Sequence, residues 1–138
     1  MDDFRQVVDL DQLTSDDTIT LARTAAEAIR GLNWATNCDA GLDQPAIAYD
    51  VIASLALAAS RLGQLLTQIT RYLDRALAAG QLGHDLGEDP GWHVHGAGVF
   101  LGDARGSAAA LASDLNEAQQ LLAPVNGAPC RHDRKDQP

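Results

Sequence analysis

Between Pro45 and Ala79 the chain runs without a second proline and with Gly63 as its one glycine, and this stretch constrains the fold more than any other. Inside it Val51, Leu55, Ala58, Leu62, Leu65, Ile69, Tyr72 and Ala76 alternate at spacings of four and three, the period of one face of an α-helix. Ile52, Ala59, Leu66 and Leu73 form a parallel row seven residues apart. Arg61, Gln64, Gln68, Arg71 and Arg75 give the later half a polar face. At 1.5 Å rise per residue such a helix is a rod of roughly 50 Å. Two adjacent apolar rows require neighbours on more than one side, so this helix is expected to be the spine of the fold.

Two further helices flank it. Thr14-Ser15-Asp16-Asp17 offers a capping oxygen followed by acids in a first turn, where the helix dipole favours them. Ile19, Ala22, Ala26 and Ile29 then recur at helical spacing, widened by Leu21, Ala25, Ala28 and Leu32, and the pattern ends near Gly31 to Asn37. The polar segment from Asn37 to Gln44 precedes Pro45, which suits the first turn of a new helix. A third helix is read from about Asp103 to Ala123, bounded by Gly102 and Pro124, with Ala104, Ala108, Leu111, Leu115, Ala118 and Leu122 on one face. Arg105, Asp114, Asn116, Glu117, Gln119 and Gln120 lie largely on the other.

With 24 Ala and 19 Leu among 138 residues and only six Phe, Trp and Tyr, the stock favours helices over strands. The expected fold is all-α: an antiparallel helical bundle of three main helices around one long central helix, with a long glycine-rich loop before the last. Residues 1–125 form one domain in this reading and 126–138 a flexible polar tail. Phe4 to Leu13 carries Val7, Val8, Leu10 and Leu13, the apolar residues a short docking arm would need, and the sequence assigns it no definite structure.

Charge narrows the function. Nineteen acids against ten bases give a formal charge of −9, and Lys135 is the single lysine. A basic groove for nucleic acid cannot be assembled from that balance, so no direct nucleic-acid binding is expected. Cys38 and Cys130 form no Cys-x-x-Cys pair and are expected to be reduced. The start, MDDFRQVVDLDQL, has neither the basic residues nor the apolar run of a signal peptide. The uncharged run from Val51 to Ser60 falls short of the ~20 residues of a membrane span. These features lead us to expect a cytoplasmic protein without membrane contact, and the abundance of Ala, Gly, Arg and Asp suggests a bacterial genome of high GC content.

Chemistry concentrates in Gln81 to Gly102, which holds six of the twelve glycines and three of the four histidines. His84, Asp85, Glu88, Asp89, His93 and His95 are imidazole and carboxylate donors of the kind that hold zinc or another divalent ion. Their spacing matches no established template, His93-x-His95 being a two-ligand fragment. The segment is therefore expected to be a solvated connection pinned to the bundle by Trp92, Val94, Val99, Phe100 and Leu101, with no metal and no cofactor. Ser54, Ser60, Ser107 and Ser113 sit without a Gly-x-Ser-x-Gly elbow, and phosphate-cradling glycine motifs are absent from the sequence. An enzyme is the less favoured reading.

Two long helices joined by a segment carrying Gly91-Trp92-His93-Val94 resemble, over Pro45 to Ala123, the general architecture of the secreted WXG-type proteins. The family's Trp-x-Gly turn has no counterpart here: Trp92 and Trp34, in Trp34-Ala35-Thr36, both lack a glycine two residues on. The resemblance implies two long helices and a turn, and no site.

Ala46 to Ala59, AIAYDVIASLALAA, is apolar almost all round, with Asp50 its one charge. Such a helix must be covered on every side. The expected function is that of a non-enzymatic helical interaction protein, a homodimer through Ile47, Tyr49, Val51, Leu55 and Leu57 that also binds another protein. The alternative is a small ligand- or metal-binding protein, or an enzyme, built on the loop 81–102.

Overall fold

Thr14 starts the first helix with a reciprocal cap. Its hydroxyl accepts the Asp17 amide N–H at 3.3 Å, while Asp17 Oδ2 accepts the Thr14 amide and hydroxyl, each at 2.8 Å. Those two bonds, the amide first, hold the Asp17 carboxyl below its ordinary range. The computed structural model describes residues 9–128, and among them every regular element is helical: α1 Ser15–Thr36, α2 Pro45–Ala78 and α3 Pro90–Leu122. The expectations for Phe4, Val7 and Val8, and for the tail beyond residue 128, lie outside the described residues. The chain divides into two compact units, Met1–Asp43 and Gln44–Pro138.

In the first unit, α1 ends as expected. Beyond Asn37 the Cys38 amide donates to the Ala35 carbonyl at 3.3 Å and the Gly41 amide to the Cys38 carbonyl at 3.0 Å. Gly41 passes so close to Ala35 that a Cβ would stand 2.1 Å from its carbonyl oxygen, which makes this turn specific for glycine. Leu21, Thr24, Leu32 and Ala35 are the half-buried residues of α1 beyond its first turn, and Ile19 and Ile29 are exposed.

In the second unit, Pro45 occupies the first turn of α2, and Gly80 ends the helix at φ 67°. The Gly80 amide donates to Leu77 at 3.1 Å and the Gln81 amide to Ala76 at 3.0 Å, which together satisfy two of the final carbonyls. The third helix departs from expectation. It begins at Pro90 and not near Asp103, with the Asp89 carboxylate accepting the Gly91 amide at 2.9 Å as its cap. Gly91, Gly96, Gly98 and Gly102 are therefore helical, and the expected loop 81–102 contracts to residues 79–89.

Packing explains why glycine did not break α3. Gly91, Val94, Gly98 and Leu101 carry a three-four spacing that Ala108, Ala112, Leu115, Gln119 and Leu122 continue, and all of these are buried or half-buried. They form the α3 side of a seam with α2, against which α3 packs. The α2 side is Ile52, Ala56, Ala59, Gly63, Leu66, Thr70, Leu73 and Leu77. Arg105 occupies the one polar and exposed position in the α3 row: its Nη1 donates to Thr67 Oγ1 at 2.9 Å, and its Cγ lies 3.8 Å from where a Cβ on Gly63 would stand. Among the described residues the buried ones are all small, namely Ala56, Ala59, Ala76, Ala108, Ala112 and Gly91.

Candidate functional site

The connection from α2 to α3 is built by a turn and a cap. The Gly87 amide donates to the His84 carbonyl at 2.9 Å with Gly87 at φ 73°, a left-handed conformation that glycine adopts without strain. This turn folds Glu88 back beside the Nε2 edges of two imidazoles. Glu88 Oε2 lies 3.9 Å from His84 Nε2 and 3.7 Å from His93 Nε2. His93 sits in the first turn of α3, its ring stacked on that of His84 at 4.6 Å and 22° and packed edge-to-face with Trp92 at a centroid separation of 5.0 Å.

His84 is the most enclosed of the three, its side chain about one-fifth exposed against 45% for His93 and 62% for Glu88. Its Nδ1 accepts the Leu86 amide at 3.1 Å, so in the neutral ring the proton rests on Nε2, facing Glu88. Both imidazole–carboxylate separations exceed hydrogen-bond length, so Glu88 faces both rings without a fixed bond to either.

Of the six donors singled out in the sequence, three converge. His84, Glu88 and His93 present ligand atoms within 4.8 Å of one another. Asp89 is committed to the α3 cap, and Asp85 and His95 are exposed outside the group. His95 follows His93 by two residues on a helix and so faces a different direction, which dissolves the His93-x-His95 fragment.

A second feature is an apolar surface on the same two helices. Leu62, Leu65, Ile69 and Tyr72, one of the two rows visible in the sequence, are 40%, 49%, 41% and 58% exposed, while the row seven residues apart lies in the seam. Ile47, Val51 and Leu55 continue the exposed row toward the start of α2 by helical spacing, Val51 and Leu55 being half-buried. Tyr49 and Leu57 fall on other sides of the helix, Tyr49 half-buried and Leu57 exposed. On α3, Phe100 and Leu111 are exposed and share a row with Ala104 and Ala118.

The aromatic pins expected in the loop are corrected with it. Trp92, Val99 and Phe100 are exposed on α3, whereas Val94 and Leu101 do pack toward α2. The exposed α2 row went unrecognised as surface because both rows have helical spacing, and spacing does not say which one meets α3. By length and composition α2 is also apolar enough to cross a membrane, with a window of mean hydropathy 1.3. Comparison with the models of known protein families, with curated proteins and with solved structures finds no match.

Proposed function

We propose that the chain is a non-enzymatic helical interaction protein of the cytoplasm, an antiparallel bundle built around α2 that self-associates as a dimer and binds a further protein. The observation that carries this reading is the exposed row Leu62, Leu65, Ile69 and Tyr72 beside a seam that buries nothing larger than alanine.

Two arguments support the antiparallel arrangement. A parallel pairing would require residues 79–89 to span roughly 50 Å, and 11 extended residues reach about 40 Å. An antiparallel register through Arg105 and its neighbours Gly63 and Thr67 also brings Ala56 and Ala59 level with the turn Ala108–Ala112, and Ala76 level with the start of α3, matching the buried residues.

In that arrangement both exposed rows fall on the same side of the pair, because each lies about 100° from its seam in the same rotational sense. The α2 row from Ile47 to Tyr72 is roughly 38 Å long, and two helices side by side are about 20 Å across, giving a face of about 760 Å². A standard interface buries about 800 Å² per partner, so a second copy would fill one. Arg61 borders the face on α2, and Asp103 and Asp114 border it on α3. A two-fold axis that lays α2 over the partner's α3 brings these opposite charges together. Asp50 and Arg61 bracket the uncharged run of α2, which favours a protein partner over a lipid bilayer.

Sedimentation equilibrium of the full chain at micromolar concentration tests the reading, with a dimer expected. Ile69→Asp together with Leu65→Asp should yield a monomer of unchanged helicity, since both positions are exposed within one protomer. A wild-type monomer throughout that range, or flotation with neutral lipid vesicles, overturns it.

A further inference from the structure

From the side chains around the α2–α3 connection we infer a binding site for one divalent transition-metal ion of the zinc type, held by His84, Glu88 and His93. Two imidazoles and one carboxylate are a donor set suited to such an ion, and three protein ligands leave a position for water. In a tetrahedral shell with bonds of 2.0–2.2 Å the ligand atoms stand about 3.4 Å apart. Glu88 Oε2 is already 3.7 Å and 3.9 Å from the two Nε2 atoms, and all three ligand atoms lie within 4.8 Å. Closing the set around an ion takes shifts of less than about 1 Å in the enclosed His84 and the more exposed His93 and Glu88 side chains, together with rotation of the stacked rings so that their lone pairs converge.

The donors are brought together by features independent of one another. The Gly87 turn fixes His84 relative to Glu88, and the Asp89 cap with Pro90 fixes the α3 turn bearing His93. The three groups are thus gathered before any ion arrives, which lowers the ordering cost of binding. A chain of net charge −9, with Asp85 alongside in the same connection, attracts a dication.

One local change must accompany binding. Nε2 of His84 can ligate only if the ring proton moves to Nδ1, and Nδ1 then no longer accepts the Leu86 amide. The amide resonance of Leu86 therefore reports occupancy of the site specifically, apart from any general effect of metal on the protein.

The test uses the full chain without an affinity tag, stripped with a chelator. Zinc is titrated in competition with a chromophoric chelator, and cobalt(II) by its visible spectrum. One equivalent per chain is expected, with a tetrahedral cobalt spectrum and a shift of the Leu86 amide. His84→Ala, His93→Ala and Glu88→Gln should each weaken binding at least tenfold, while His95→Ala leaves it unchanged. Circular dichroism checks that each variant is folded. Lack of stoichiometric binding overturns the assignment. So does equal weakening by His95→Ala and His93→Ala, which marks adventitious histidine binding, or half an equivalent per chain, which marks an ion bridging two copies.

Discussion

Replacing glycines in α3 by alanine should stabilise the protein, and the pattern of the gain discriminates between two descriptions of residues 90–102. A Cβ added at Gly96, Gly102 or Gly106 meets nothing within 4 Å, so the substitutions introduce no clash. Each exchanges the worst helix former short of proline for the best, a gain of about 0.8–1.0 kcal/mol. The three positions share no partner, so the triple variant should gain about 2–3 kcal/mol. For a chain of 138 residues that corresponds to a rise in Tm of roughly 7–10 °C. Urea and thermal unfolding followed by circular dichroism, at one fixed protein concentration because the proposed association would shift the midpoint, measure it. Gly106 is helical both in the structure and in the sequence reading that starts the helix at Asp103, so it serves as the internal standard. If Gly106→Ala stabilises while Gly96→Ala and Gly102→Ala do not, residues 90–102 are not a helix and the argument fails.

Leu66 lies in the seam and Leu62 on the exposed row, so Leu66→Asp should unfold or severely destabilise the protein, whereas Leu62→Asp should retain its melting behaviour as a monomer and weaken association. Equal effects of the two on unfolding would show that the seam is misidentified. At the start of α1, Thr14→Ala should cost about 1 kcal/mol through loss of the cap, read from urea unfolding. Because the Asp17 carboxyl is held lower in the folded chain than its ordinary value of 3.8, its contribution is present above that value and is lost as pH falls through the folded one. The stability difference between wild type and Asp17→Asn should accordingly shrink on acidification below about pH 4, and a difference that grows would contradict the cap.

How far the sequence could be read depended on whether the signal was local. The start of α1 at Thr14 and the start of α2 at Pro45 are capping events within a few residues, and both were legible. The Asp89-Pro90 start of α3 is as local, yet the four glycines that follow it between Gly91 and Gly102 obscured it, because their propensity argues against helix. What overrides propensity is the α2 surface opposite, a tertiary fact. The metal-donor group divides in the same way. Six donors were visible as chemistry, but selecting His84, Glu88 and His93 needed the Gly87 turn and the redirected course of α3.

The composition of the seam links these findings. Ala56, Ala59, Gly63, Gly98, Ala108 and Ala112 project little from their helices, so α2 and α3 can approach toward the near end of the 8–10 Å range of helix packing. The larger seam residues, Ile52, Leu66, Leu73 and Leu77 on α2 and Leu101, Leu115 and Leu122 on α3, are only half-buried beside these small ones. Leu62, Leu65, Ile69 and Tyr72 on α2, and Phe100 and Leu111 on α3, lie on rows outside the seam and remain exposed. Buried methyl groups of alanine contribute about 0.8 kcal/mol apiece, against roughly 1.5–3 kcal/mol for a fully buried leucine or phenylalanine. The pair thus holds its larger hydrophobic reserve on the surface. An Ala59→Leu change would force the axes apart at the seam and should lower stability by about 1–3 kcal/mol. It should also weaken association, since spreading α2 from α3 breaks the continuity of the face that the two helices share. Destabilisation with unchanged dimer affinity would mean that the seam and the face are independent, and that the exposed row acts through α2 alone.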